Sequence, residues 1–423
     1  MATRPRVVIV GGGFAGLWAA RALASAPVEI VLVDRGNHHL FQPLLYQVAT
    51  AGLSAPDIAA PLRHILRRQK NVEVRMATVT GIDPGARRVA LDDGGALAFD
   101  FLLLASGATH AYFGNDHWAE HAPGLKTLDD ALDLRRKLLL AFERAEAATD
   151  PAERQAWLSF AIVGGGPTGV ELAGTLAEIA RHTLRNEFRY IDPASARVRL
   201  VEAGPRVLAA FPEALSAKAK RQLEKLGVEV TLGMPVRDIT ADGYVLGDAF
   251  VPAKTVVWAA GVAASPLGAM AGVPLDRAGR VQVRPDLSVP GHPDIFVAGD
   301  LAALARADGR PVPGVAPAAK QMGRYVARVI RARLSAQAPP PPFAYRDYGN
   351  LATIGRMAAV VDLGRLRFSG LPAWWFWLVM HVFFLIGFRN RIVVLLNWWW
   401  AYWSYQRGAR IILGEGRDRP AAE

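Results

Sequence analysis

Residues 7–16, VVIVGGGFAG, constrain the fold more than any other stretch of this chain. Val7, Val8, Ile9 and Val10 are apolar and β-branched without alternation, the pattern of a strand buried on both faces of a parallel sheet. The run breaks at Gly11, Gly12 and Gly13, and residues 14–23 read as a helix. In a Gly11-x-Gly13-x-x-Gly16 spacing between strand and helix, the first glycine turns the chain and the second lets a pyrophosphate approach the backbone. The third lets helix pack on strand. The helix N-terminus offers free N–H groups and a positive dipole end to phosphates. A second strand, residues 29–33, ends in Asp34, whose carboxylate suits a ribose hydroxyl. A ligand-free glycine turn accounts for the glycines alone; strand, helix and terminal acid together point to dinucleotide binding.

The pattern occurs twice. Residues 160–163, FAIV, lead into Gly164-Gly165-Gly166-Pro167-Thr168-Gly169, with a helix expected over 170–184. A strand over 198–201 then ends in Glu202, the counterpart of Asp34, set further along because the intervening helix is extended. The downstream order repeats too. Residues 228–230 parallel 72–74, a hairpin around Asp242-Gly243 parallels one around Gly94, and 256–261 parallel 103–107. Two chance matches in the same order are improbable, so the chain reads as one dinucleotide-binding unit used twice.

Between these landmarks, residues 35–47 read as an irregular segment, 62–68 as a short basic helix and 72–82 as one strand. Residues 87–104 read as a hairpin turning at 92–95 and ending in a buried run, before Ala105-Ser106-Gly107. Residues 128–148 read as a helix, 294–297 as a buried strand leading to Gly299-Asp300, and 317–334 as a further helix. Four prolines at 339–342 make a stiff spacer before a C-terminal module.

At 423 residues the chain is long enough for two or three domains. Hydrophobic residues make up 52% and the formal charge is +11, a balance that suits an anionic membrane surface, nucleic acid or an arginine-rich proteome. No nucleic-acid motif or lysine-rich tail is present, so nucleic acid is not expected as a partner. The absence of cysteine excludes disulfides, thiolate-held metals and every redox mechanism that needs a thiol. The nine histidines show no ligand spacing, and no metal is expected. MATRPR runs straight into the first strand and leaves no room for a signal peptide, so a cytoplasmic start is expected.

Near the C-terminus, residues 374–388 read WWFWLVMHVFFLIGF and 392–403 read IVVLLNWWWAYW, separated by Arg389-Asn390-Arg391. Each run falls short of the roughly 20 residues a spanning helix needs. Tryptophan is used as in interfacial belts, so two short helices lying in one leaflet, a monotopic anchor, are expected. A buried dimer interface is the alternative, and a single span would bury Arg389 and Arg391. From Arg365 onward eight arginines face three acids, which suits anionic lipid. His381, inside the apolar run, reads as an interfacial residue rather than a metal ligand.

Two dinucleotide sites on one chain suggest one bound flavin and one exchanging nicotinamide. The chain resembles the glutathione-reductase-like flavoproteins with two dinucleotide-binding domains. The resemblance implies an α/β fold of two Rossmann-like domains, here with a C-terminal amphipathic helical module that anchors to the membrane. It implies that residues 1–112 and 276–338 bind FAD, that 113–275 are an inserted NAD(H)-binding domain, and that 339–423 form the membrane-associating module. Disulfide reductases and sulfide:quinone reductases need redox cysteines, which this chain lacks. The chain is most similar to the type II NADH dehydrogenases, single-subunit NADH:quinone oxidoreductases. The resemblance runs through NHHLFQPLLYQVATAGLS, the SGATHAYFG run, GGGPTGVELAG and the region from Gly314 onward.

Carried over residue by residue, the resemblance assigns Gly11, Gly13, Phe14, Gly16, Asp34 and Asp300 to FAD. Gly164, Gly166, Gly169 and Glu202 go to the nicotinamide nucleotide, with Ala15, Gln47, Gly107 and Gly261 added to the cofactor-binding set. A carboxylate at 202 repels a 2′-phosphate and favours NADH over NADPH, with Arg206 nearby as an opposing charge. Glu171 occupies the position of the family's glutamate near nicotinamide and flavin, although a carboxylate there also stabilises a helix start. The family's quinone motif AQxAxQ appears as Ala316-Pro317-Ala318-Ala319-Lys320-Gln321, with Pro317 replacing the first glutamine. Lys320 and Gln321 become the quinone-side candidates, Gln321 being otherwise a polar residue in a helix's first turns. Expected partners are NADH, ubiquinone or menaquinone, a membrane surface and a second copy of the chain, at the cytoplasmic face of the inner membrane and without proton pumping. The alternatives are a soluble NAD(P)H reductase for a protein acceptor such as a ferredoxin, and a non-catalytic NADH sensor.

Overall fold

The strand Arg6–Val10 lies inside a parallel sheet, as its unbroken apolar run requires: Val7, Val8 and Ile9 have no exposed surface. A computed structural model describes residues 4–386, 388–404 and 407–412. The leader reading of the first residues, the side chain of Arg389, and Arg417 and Arg419 lie outside the described residues. The chain divides into two compact units. One comprises Met1–Leu40, Ala59–Thr109 and Val262–Tyr348; the other comprises Phe41–Ile58, His110–Gly261 and the chain from Gly349 on.

In the first unit the sheet order is Ser288–Val289, His292–Val297, Phe101–Leu104, Arg6–Val10, Glu29–Asp34, Val72–Met76. All pairings are parallel except that of Ser288–Val289. Each fully buried valine, leucine or isoleucine in these strands contributes about 1.5–3 kcal/mol of transfer free energy. The helix Ala316–Leu334 crosses the helix Phe14–Ala22 so closely that a Cβ on Gly323 would sit 2.1 Å from the Ala15 carbonyl oxygen.

The second unit repeats the four-strand core in the same order: Val228–Leu232, Arg197–Glu202, Ser159–Val163, Thr255–Trp258, all parallel. Each unit also carries a three-stranded antiparallel sheet, starting at Val79–Asp83 in the first and at Val236–Thr240 in the second. From Gly349 on, Asn350–Gly355, Ala358–Asp362 and Arg367–Ser369 form an antiparallel sheet that packs on the helix Pro167–Glu178. Helices Leu371–Phe384 and Phe388–Ser404 follow. Among the described residues no helix is long and apolar enough to cross a membrane.

Four local expectations change. Residues 72–82 form two strands, not one. Val72–Met76 stays in the parallel sheet until Ala77 N–H bonds the Asp34 carbonyl, and Val79–Asp83 then leaves for the antiparallel sheet. The hairpin at 92–95 joins Arg88–Leu91 to Ala96–Ala98, but Phe101–Leu104 pairs in parallel with Arg6–Val10 instead of extending it. The segment 35–47 is ordered: His38–Leu40 pairs with Ala59–Pro61, and a 3-10 turn over Gln42–Leu44 leads into the helix Leu45–Ala49. The second nucleotide helix starts at Pro167, whose fixed φ suits a first helical position, and passes at Glu178 into one π-helical turn, Ile179–Thr183.

Candidate active site

The two glycine turns have the same geometry. Gly11 holds φ +107° and Gly164 φ +114°, conformations in which a side chain would be strained. A Cβ on either would also lie within 2.5 Å of the carbonyl oxygen of Ala105 or Ala259 respectively. Gly11 N–H bonds the Val33 carbonyl at 2.8 Å, and Gly164 N–H bonds that of Val201 at the same distance. A Cβ on Gly16 or Gly169 would sit 1.9 Å from the carbonyl oxygen of the turn's first glycine, so both helices pack onto their turns through bare backbone. Gly13 and Gly166 face the other way, where a Cβ would meet nothing within 4 Å. They are the N-caps of their helices and neither helix has a side-chain cap, so first-turn N–H groups face that open side.

The strand-end acids are duplicated with equal fidelity. Asp34 accepts Gly12 N–H at 2.6 Å and Gly36 N–H at 2.7 Å. Glu202 accepts Gly165 N–H and Gly204 N–H, both at 2.6 Å. Each carboxylate is thereby held beside its turn with lone pairs to spare for a ribose hydroxyl. Open second glycines, uncapped helix ends and anchored acids fit a dinucleotide at each turn. Arg206 donates to the Ala209 carbonyl at 3.0 Å.

Within the first unit, His39 is buried beneath the glycine turn, its Nδ1 2.9 Å from the Gly12 carbonyl and its ring edge-on to Phe14 at 5.0 Å. Burial lowers its pKa to about 4, so it stays neutral. Lys320 lies over the rings of Phe14 and Trp18, at 5.0 and 4.7 Å, and burial lowers its pKa to about 8. Gln321 uses its whole amide on one backbone residue: Nε2 donates to the Arg346 carbonyl and Oε1 accepts Arg346 N–H, each at 2.9 Å. Asp300 follows Gly299 in a short turn after the strand His292–Val297, and the Gly107 carbonyl accepts Ser265 N–H at 3.1 Å.

Within the second unit, Glu171 is 8% exposed in the helix Pro167–Glu178. Burial raises its pKa well above the usual carboxylate value, opposed in part by a hydrogen bond from the Thr353 backbone. Gly174 makes that approach possible, because a Cβ there would sit 1.6 Å from the Ile354 carbonyl oxygen. Tyr46 is buried on the helix Leu45–Ala49, which packs on the Glu171 helix. Burial, then the charge of Glu171, push its hydroxyl well above its ordinary pKa. Gln47 donates from Nε2 to the Tyr46 hydroxyl at 3.0 Å and accepts Trp398 Nε1–H at 2.7 Å. Trp398 leans on Trp377 (5.5 Å), and His381 stacks on Trp377 at 4.2 Å with Nδ1 2.8 Å from its carbonyl. His381 takes part in the aromatic packing, and burial lowers its pKa to about 4. At Gly261 a Cβ would strike the Phe113 ring at 2.5 Å.

The candidates thus fall into two groups: Gly11 to Gly16, Asp34, Gly107, Asp300, Lys320 and Gln321 in one unit, and Gln47, Glu171, the second turn, Glu202 and Gly261 in the other. Sequence reasoning missed Tyr46, Gly174 and Trp398. Only Gly174 left a signal, an isolated glycine inside a helical pattern.

The family profile described as pyridine nucleotide-disulphide oxidoreductase matches residues 5–323. The type II NADH:quinone oxidoreductase Ndh of Mycobacterium tuberculosis is 48% identical, over 96% of this chain and 89% of its own length. The type II NADH:quinone oxidoreductase NdhA of the same organism is 47% identical, over 97% and 90%. The solved structure of NDH2 from Plasmodium falciparum in complex with NADH superposes with a TM-score of 0.87 over 97% of this chain and all of that one. At 19% identity this likeness shows the fold.

Proposed function

The chain belongs to the type II NADH:quinone oxidoreductases, within the pyridine nucleotide-disulphide oxidoreductase family, and on that premise we propose that it oxidises NADH and reduces a membrane quinone without pumping protons. The observation that carries this reading is the duplicated nucleotide turn, two copies of one phosphate cradle each with its own anchored acid.

In this reading the residues at 11–16, with Asp34 and Asp300, hold FAD, and Phe14 is braced by Lys320 and His39 so that the turn keeps its shape. Bound there, FAD would supply the hydride-accepting and electron-passing chemistry that side chains lack. Gly164, Gly166 and Gly169 receive the NADH pyrophosphate, and Glu202 takes the adenosine ribose while opposing a 2′-phosphate. Burial raises the pKa of the Glu171 carboxyl, which suits it to hold and exchange a proton during turnover. Gln321 holds the 345–348 segment in place, and Lys320 shapes the wall beside it.

The reading extends to the membrane. Trp375, Val379 and Phe383 form an exposed stripe at i, i+4 and i+8, and Ile392, Leu396, Trp399 and Trp403 form another. Such stripes, rich in tryptophan, suit helices lying in an interface. The arginines contribute less than their number suggests, since Arg367 pairs with Asp362, Arg410 with Glu187 and Arg407 with Glu178. We place the protein on the cytoplasmic face of the inner membrane, where NADH is supplied, and as a homodimer. Steady-state NADH oxidation by the purified FAD-loaded protein, with ubiquinone and menaquinone analogues, tests the activity. NADH consumption that depends on added quinone is expected, and none with either analogue would overturn the reading.

A further inference from the structure

Each nucleotide turn holds its middle glycine at both ends. Gly12 donates its N–H to Asp34 at 2.6 Å, and its carbonyl accepts from His39 Nδ1 at 2.9 Å. In the second turn Gly165 donates its N–H to Glu202 at 2.6 Å, and its carbonyl accepts the Leu208 N–H at 2.7 Å. The same carbonyl is thus held by a side chain in one turn and by backbone in the other. A carbonyl only accepts, so His39 Nδ1 carries the ring hydrogen and Nε2 is a bare lone pair. Nε2 is buried with no hydrogen-bond partner among the described residues, and the rings of Phe14 and Trp18 lie 5.0 and 5.8 Å from the imidazole. An unpaired buried acceptor is costly, and an apolar side chain would avoid that cost. What an apolar side chain would lack is the Nδ1–H bond to Gly12.

We propose that His39 is a positioning residue for the FAD pyrophosphate: by holding the Gly12 carbonyl it keeps the Gly13 N–H facing the phosphates. The peptide joining Gly12 to Gly13 is trans, so its N–H points opposite to its carbonyl. With the carbonyl turned onto the buried His39, the N–H is turned away from it, at the N-cap of the helix Phe14–Ala22. A flip of this peptide would present a carbonyl oxygen to the phosphates in place of a donor. Glycine on both sides leaves such a flip sterically open, so side-chain clashes do not select the orientation and the hydrogen bond does. The proposal rests on the reading given above, in which the first turn holds FAD.

The test follows release of FAD from the full-length holoprotein on dilution, read by recovery of flavin fluorescence. His39→Phe keeps a ring beside Phe14 and Trp18 and loses the donor. It is expected to release FAD about tenfold faster than wild type, the worth of one hydrogen bond. His39→Leu, equally without a donor, serves if the phenylalanine variant does not fold. His39→Asn, whose amide nitrogen stands near the place of Nδ1, is expected to bring release back toward wild type. The second turn is the internal control: because Leu208 N–H holds the Gly165 carbonyl, the dissociation constant of NAD+ measured by calorimetry is expected to stay unchanged in every variant. Unchanged FAD release in the donor-free variant overturns the proposal. An equal loss in His39→Asn, or a matching loss of NAD+ affinity, also overturns it and assigns His39 to packing alone. Wild type that carries no flavin would instead defeat the functional reading, so the two failures are distinguishable.

Discussion

Arg407 and Glu178 form a buried ion pair, with guanidinium and carboxylate 3.4 Å apart and only 13% and 12% of the two side chains exposed. Arg407 also donates to the Thr50 carbonyl at 3.1 Å, and Glu178 accepts the Arg356 backbone N–H. The pair thereby ties the tail, the π-helical turn after the Glu171 helix, and the 41–58 segment together inside one unit. Removing one partner strands the other charge in the interior, so Arg407→Ala or Glu178→Ala is expected to destabilise this unit by about 3–5 kcal/mol. Removing both should cost much less than the sum. Urea unfolding monitored by tryptophan fluorescence checks it, and additive losses would contradict it.

On the proposed reading, Glu202 sets the choice of nucleotide. Replacing it with alanine removes the hydrogen-bonding carboxylate and its repulsion of a 2′-phosphate. KM for NADH is expected to rise about 10- to 100-fold, as for loss of a hydrogen bond to a charged group, while KM for NADPH falls. Parallel steady-state assays with the two nucleotides decide it. Unchanged selectivity would remove Glu202 from the site.

Glu171 yields a prediction in pH. Its folded-state pKa is raised, so the folded protein holds this proton more tightly than the unfolded chain. Stability from this group is therefore full below the unfolded carboxyl pKa of about 4.3 and is lost as pH rises toward the folded value. Glu171→Gln should flatten that part of the stability profile and gain on wild type as pH rises. If the carboxyl exchanges a proton in turnover, the same variant should lose about 10²- to 10⁴-fold in quinone turnover. Thermal melts between pH 4 and pH 8 with kcat profiles test both halves.

The exposed stripes predict how the protein meets lipid. Phe383→Asp or Trp399→Asp should lower vesicle binding by about tenfold or more each, the worth of one buried aromatic side chain. Ferricyanide reduction by NADH should be retained. Because Arg367, Arg407 and Arg410 are already paired, binding should weaken little with added salt. Flotation with vesicles unaffected by either aspartate would place another partner on this face.

How much of this was legible in the sequence varied with the range of the interaction. The glycine turns and their acids, Asp34 and Glu202, were readable because strand, turn and helix are contiguous and each glycine answers a local steric demand. The duplicated sheet followed from the repeat. Residues 72–82 were misread as one strand because the break at Ala77 is set by the Asp34 carbonyl on a neighbouring strand. Tyr46 with Gln47, Glu171 and Trp398 come from three distant stretches, and no local pattern announces that an indole N–H will meet an amide 351 positions away. The ion pairs after residue 365 were hidden for the same reason, since composition does not show that Arg407 meets Glu178.

The central claim is that this chain carries flavin and moves electrons from NADH through it to a quinone. Anaerobic absorbance spectroscopy of the purified full-length protein tests it directly. The account predicts a yellow protein that releases FAD on denaturation, with absorbance bleached by NADH and restored by a quinone analogue. A colourless protein that fails to take up added FAD, or a yellow one whose absorbance NADH leaves unchanged, would contradict it.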